Sequence, residues 1–167
     1  DTRPTTLDYS IRDLEVDCTG TESEGYGFRN CANLTNCTGT GTWTGTETTS
    51  GYGYGFVDCT NLTNCTGTGT GTVTFGYGFD SCTNLTNCTG SGTGYKGRGF
   101  GFCTNLTNCT GTGTGDSGGY GFYSITYASN CRDGGSSTDM WGGTNKNIDI
   151  DTCRKTPVEA NITTLNT

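Results

Sequence analysis

The chain has 167 residues, of which thirty are glycine and only 29% are apolar, eleven cysteines included. So little apolar surface cannot by itself offset a chain entropy of roughly 1–2 kcal/mol per residue, which excludes a thick hydrophobic core; eleven cysteines at regular spacings point instead to a disulfide framework and an oxidising compartment. The net charge of −7 gathers toward the amino end, with seven acids and three bases in residues 1–30 against four and two in residues 31–122, so there is no basic patch for nucleic acid or an anionic membrane and no apolar run long enough for a transmembrane helix.

Residues 1–17 read as an acidic arm or cap. In "TTLDYSIRDLEVD" Leu7, Tyr9 and Ile11 alternate as in a strand, which suits addition to an open sheet edge. No signal-peptide apolar region is visible, so a secreted form is expected to begin at Asp1 after processing. From Cys18, "CTGTESEGYGF" looks like the second half of a unit whose full form follows four times: "CANLTNCTGTGT", "CTNLTNCTGTGT", "CTNLTNCTGSGT" and "CTNLTNCTGTGT", from Cys31, Cys59, Cys82 and Cys103. Each is preceded by an aromatic-glycine stretch such as "GYGFVD", and the starts are 28, 23 and 21 residues apart. The variation falls between the Thr-Gly run and the next aromatic run, where a loop belongs. "ITYASNC" ends the array at Cys131, with Ile125 in place of the leading cysteine. Worn terminal copies are typical of capped repeat arrays, so residues 18–131 form the repeat domain and 132–167 a C-terminal cap and tail.

Glycine at every second position argues against helix, while period two in "GYGF" and "TGTGT" argues for strand. Tyrosine and phenylalanine are expected to point inward over the glycines of the opposite sheet, with threonine outside. The expected fold is all-β, a flat β-solenoid of about five disulfide-braced repeats of 21–28 residues with capping ends; an antiparallel meander of disulfide-closed hairpins is the alternative. Extended, the six-residue step between cysteines spans about 20 Å, whereas a disulfide needs Cα atoms within roughly 7 Å. If the pair is bonded the chain must reverse at Asn-Leu-Thr-Asn, where asparagine tolerates left-handed backbone. The pairs favoured are Cys31–Cys37, Cys59–Cys65, Cys82–Cys88 and Cys103–Cys109, then Cys131–Cys153, with Cys18 left for an intermolecular bond; links between successive units, Cys37 to Cys59 and so on, are the rival scheme.

The absence of histidine removes His-based triads and the commonest zinc ligand, and no cofactor, metal site or catalytic residue is expected. Asp133 in "CRDGG" and the pair Asp149 and Asp151 are the places where a carboxylate pair could sit, though cap and turn roles suit them better. Asn-x-Thr recurs at every unit: Asn33, Asn61, Asn84 and Asn105 in Asn-Leu-Thr, Asn36, Asn64, Asn87 and Asn108 in Asn-Cys-Thr, and Asn161 near the end. The Asn-Leu-Thr set and Asn161 are the expected glycosylation sites; turn formation or side-chain ladders are the structural reading of the same residues.

These features fit an extracellular, secreted or cell-surface structural repeat glycoprotein that associates with itself, head to tail, into a glycan-coated fibre or coat. The likeness is to disulfide-rich extracellular β-repeat proteins as a class. The outward threonine rows also resemble those of insect antifreeze proteins of the Thr-Cys-Thr type, a resemblance that implies ice binding. A carbohydrate-binding adhesin using Trp43 and Trp141 is a third reading, in which Trp141 also serves as a plug of the C-terminal cap.

Overall fold

The computed structural model describes residues 15–20, 24–45, 51–136, 141–149 and 152–155; Leu7, Tyr9 and Ile11 of the arm, Asp151 and Asn161 lie outside them. Among the described residues there is no helix. The strands are β1 (Glu15–Gly20), β2 (Glu24–Arg29), β3 (Thr38–Trp43), β4 (Tyr52–Val57), β5 (Thr60–Thr63), β6 (Thr66–Gly71), β7 (Phe75–Asp80), β8 (Thr83–Thr86) and β9 (Thr89–Thr93). They continue as β10 (Arg98–Gly101), β11 (Thr104–Thr107), β12 (Thr110–Thr114), β13 (Tyr120–Tyr123), β14 (Ala128–Ser129), β15 (Arg132–Asp133), β16 (Trp141–Gly142) and β17 (Arg154–Lys155).

Among the described residues every pairing is parallel, and in the central coils like falls on like. The aromatic strands stack as β2-β4-β7-β10-β13-β16 and the threonine strands as β1-β3-β6-β9-β12-β15-β17. The chain is therefore a β-solenoid and not a meander of hairpins. A third sheet, β5-β8-β11-β14, is built from the Asn-Leu-Thr segments, and bridges from Ala32 and Thr35 to Thr60 and Thr63 extend it by one coil.

That third face is how the chain turns back. Instead of one tight reversal, left-handed residues recur every third position, at Asp58, Asn61 and Asn64 with φ of 54°, 56° and 54°, and the next coils repeat them at Ser81, Asn84 and Asn87. Asparagine and aspartate are the side chains that enter this region most readily. Each kink turns the following residue inward, so Cys59, Leu62 and Cys65 are all buried. Leu34, Leu62, Leu85 and Leu106 make one column, which continues through Ala128 to Ile148, and cysteines stand in columns on either side.

The interior has a wide lobe and a narrow seam. In the lobe, Phe28, Phe56, Phe79, Phe100 and Phe122 stack ring on ring at 4.8–5.2 Å with interplanar angles of 5–8°, and Trp141 closes the column 4.8 Å from Phe122. In the seam, glycine faces glycine. A Cβ placed on Gly78 would stand 2.5 Å from the Ser91 nitrogen and 2.7 Å from Gly90 Cα, so the two backbones touch with nothing between them.

This corrects the expected placing of the rings. Phenylalanine does lie inside, with Phe56 at 3.0 Å from a Cβ built on Gly39, but tyrosine does not share its face. Gly55 and Phe56 both turn inward, which interrupts the alternation, and Tyr54 and Tyr77 form a separate cluster with Val57. The seam is too narrow for a ring, so the tyrosines pack on one another outside it, where Tyr54 and Tyr77 are still buried and the Tyr77 hydroxyl is satisfied by Arg98. Cys18 is corrected as well. Its register partner is Gly41, so it does not continue the column of Cys37, and β1 is no worn copy of a cysteine-led unit.

Candidate functional site

With glycine committed to the seam, every alternate residue of the threonine strands must face out. The register then fixes a lattice: Thr38, Thr66, Thr89 and Thr110 form one file, Thr40, Thr68, Ser91 and Thr112 a second, and Thr42, Thr70, Thr93 and Thr114 a third. Neighbouring strands are about 4.8 Å apart, and successive outward residues along a strand about 6.6 Å. Thr93 donates to Thr70 across one step at 3.3 Å. No charged residue interrupts these four strands. Charge appears at the margins of the first file, where Thr38 is in register with Glu15 and Thr110 with Arg132, itself opposite Arg154.

The opposite face is aromatic. Tyr26, Tyr54, Tyr77, Arg98 and Tyr120 occupy one register position in successive coils. Arg98, only 6% exposed, is held by rings: its guanidinium carbon is 3.4 Å from the Tyr123 centroid and 5.1 Å from those of Phe75 and Tyr77, and Nη1 donates to Tyr77 Oη at 2.6 Å. Phe102 completes this cage at 5.6 Å with φ of 52°, an unusual conformation for a bulky side chain. Beside the cage, Asp80 accepts from Ser81 through Oδ2, while its buried Oδ1 has no hydrogen-bond partner among the described residues. Burial pushes the Asp80 carboxyl up to about 6, against the opposing pull of the Ser81 hydroxyl and Arg98.

The glycosylation candidates form ladders. Asn61 donates to Asn33 at 3.1 Å, Asn84 to Asn61 at 2.9 Å and Asn105 to Asn84 at 2.9 Å. Asn64 likewise donates to Asn36, and Asn130 to Asn108. All are exposed, the first ladder running across the strands of the third face and the second along its boundary with the threonine face.

The cysteines expected to bond in pairs are set apart within each coil. Leu62 stands between Cys59 and Cys65, and Leu85 and Leu106 divide Cys82 from Cys88 and Cys103 from Cys109; Leu34 has the same place between Cys31 and Cys37. The sulfur neighbours run along the axis: Cys59 interacts with Cys31 and Cys82, Cys88 with Cys65 and Cys109, and Cys131 with Cys109 and Cys153. Cys131 and Cys153 do meet, the Cys131 nitrogen donating to the Cys153 sulfur at 3.4 Å.

The remaining candidates resolve as structural parts. Asp133 is fully buried and its Oδ1 accepts from Gly135 and Ser136, fastening the turn after β15. Asp149 is exposed, and its carbonyl caps a turn at Thr152 and Cys153. Trp43 is 1% exposed, packed over Gly51, and offers no stacking platform; Trp141 is the plug on the phenylalanine column. Arg98, Phe102 and Asp80 escaped notice because the irregularities "GRGFGF" and "FDS" read as drift within a repeat, although a charge in a tyrosine position was the available signal. Comparison with protein-family models, with curated proteins and with solved structures finds no match for the chain.

Proposed function

We propose that the chain is an ice-binding protein whose active surface is the threonine face. The observation that carries this reading is the register of four successive strands, which gives three files of methyl- and hydroxyl-bearing side chains on a two-dimensional repeat. Both spacings come from backbone geometry, about 4.8 Å between strands and about 6.6 Å along them, so the hydroxyls repeat in two dimensions as the oxygens of a crystal face do. The methyl groups order the water between them, the hydroxyls take lattice positions, and the absence of charge within the files leaves nothing to retain a competing hydration shell. Affinity follows from many weak contacts engaged together on a preorganised plane.

Thermal hysteresis with ice-crystal morphology is the test. The native protein should lower the freezing point non-colligatively and shape crystals. Thr68→Lys, at the centre of the array, should remove most of that activity without altering thermal unfolding, while Thr60→Lys on the third face leaves it intact. A native protein without hysteresis, or a Thr68→Lys variant as active as native, refutes the reading.

A second reading, the head-to-tail fibre at the cell surface, is favoured by one observation. The first file begins at Glu15 in β1 and ends at Arg154 in β17, the outermost strands of this sheet among the described residues. Continuing the stack into another copy sets opposite charges in adjacent rungs, and such an assembly does not close. Light scattering at rising concentration and electron microscopy test it; a monomer at all concentrations removes it.

A further inference from the structure

We infer that the cysteine columns are the disulfide sites, and that they bond between coils and not within them: Cys82 with Cys103, Cys88 with Cys109 and Cys131 with Cys153, and, by the same step, Cys59 with Cys31 and Cys65 with Cys37. This replaces the within-unit bonds with a zipper along the solenoid axis.

Three observations carry it. First, the columns are in register. Thr60, Thr83 and Thr104, which follow Cys59, Cys82 and Cys103, are directly paired, and so are Thr66, Thr89 and Thr110, which follow Cys65, Cys88 and Cys109. Adjacent cysteines in a column therefore have Cα atoms about 4.8 Å apart, inside the roughly 4.4–6.8 Å range a disulfide uses. Second, each thiol reaches the preceding coil as well as the carbonyl two residues before it in its own coil, at 3.2–3.4 Å. Cys82 Sγ points to the Phe56 carbonyl of the preceding coil at 3.8 Å, Cys103 to Phe79 at 3.8 Å, Cys88 to Leu62 at 3.6 Å and Cys109 to Leu85 at 3.6 Å. The partner within the coil lies beyond a fully buried leucine. Third, the columns hold four and six cysteines, so end-to-end pairing of neighbours has one solution in each and strands none of the ten.

Each bond forms by exchange. Two cysteine thiols give up two protons and two electrons to an external small-molecule disulfide, which leaves as two thiols, and one sulfur–sulfur bond forms in the chain. The step belongs to folding. Once the coils have closed, burial pushes the Cys82 thiol well up and the attacking thiolate is suppressed.

The reduced, unfolded full-length chain refolded with oxidised glutathione, then cut by chymotrypsin without reduction, decides the matter by mass spectrometry. The expected product is a linked pair of peptides, one carrying Cys82 and Cys88 and the other Cys103 and Cys109, which separates on reduction. The same peptides found unlinked, each lighter by a pair of hydrogens, would show within-coil bonds and overturn the inference. So would complete alkylation of all cysteines after refolding. Cys18, the eleventh cysteine, has no mate in this scheme and labels in the native chain as well; in Cys82→Ser the one additional thiol open to labelling should be Cys103, and additional labelling at Cys88 would equally overturn the inference. Cys131–Cys153 is common to both schemes and decides nothing.

Discussion

Gly78→Ala is the sharpest probe of the seam. The added methyl would meet the Ser91 nitrogen at 2.5 Å and the Gly90 Cα and Gly99 carbonyl oxygen at 2.7 Å, roughly 1 Å inside the optimal ~3.5–4.0 Å separation. All three are backbone atoms, one of them in the next aromatic strand, so no side chain can rotate away. The threonine and aromatic sheets have to part locally, against two parallel ladders and the phenylalanine column. Overpacking of this kind costs about 1–3 kcal/mol; with backbone on every side the upper end applies, less the ~0.4–1 kcal/mol gained from the stiffer unfolded chain. A net loss of about 2 kcal/mol corresponds to a fall in Tm of roughly 4–8 °C at this size. Thr112→Ala, outward on β12, should stay within about 0.5 kcal/mol. Thermal unfolding followed by circular dichroism compares the two, and equal Tm values would refute the glycine-on-glycine seam.

Asp80 gives a pH dependence. Its folded-state value of about 6 lies above the ordinary 3.8 because burial disfavours the charge, so the folded state holds the proton more tightly than the unfolded chain. The stability from the neutral carboxyl is therefore present below about 4 and is lost as pH rises through 6, with a ceiling of roughly 3 kcal/mol for a shift of about two units. Asp80→Asn should raise Tm at pH 7.5 and not at pH 4; equal effects at both refute this account. Along the asparagine ladder, each amide spends a hydrogen on its neighbour and the rungs are about 4.8 Å apart. Expressed in a glycosylating host, the chain should carry no glycans on adjacent rungs such as Asn61 and Asn84, as glycopeptide mass spectrometry would show.

How much of this was legible follows from what a repeat encodes. The stacking of coils could be read because identical units in parallel register place like on like, and the outward threonines followed from period two. The left-handed asparagines were foreseen as a reversal, but their spacing of three, which makes a third face and buries Leu62, is a property of the successive kinks. The tyrosine placing was missed for a physical reason: alternation predicts one face for Tyr52, Tyr54 and Phe56, and the interruption at Gly55 depends on the seam beneath it, a feature of two strands and not one. Cys18 was misaligned because a shared "CTGT" outweighed the register that the sheet adopts.

The seam also restrains the twist of the outer face. Sheets twist unless stacking or side-chain ladders oppose it, and in most sandwiches side chains hold two sheets ~10 Å apart. Here the backbone of each aromatic strand rests directly on that of the threonine strand, as Gly55 does on Gly67 at 2.7 Å from the built Cβ and Gly99 on Gly111 at the same distance. A twist in one sheet would drive it into the other, so the two restrain each other along the whole stack. The phenylalanine rings, parallel within 8°, add a ladder that fixes the rung spacing. The glycines thus do more than save space. By leaving no side chain in the seam they couple the inner and outer lattices there, and the regularity of the threonine files is the regularity of the backbone itself. A variant that opened the seam without unfolding the chain should lose the plane before it loses the fold, so Gly78→Ala should lower ice-shaping activity at temperatures where its circular dichroism is still native; activity that persists unchanged would separate the face from its support.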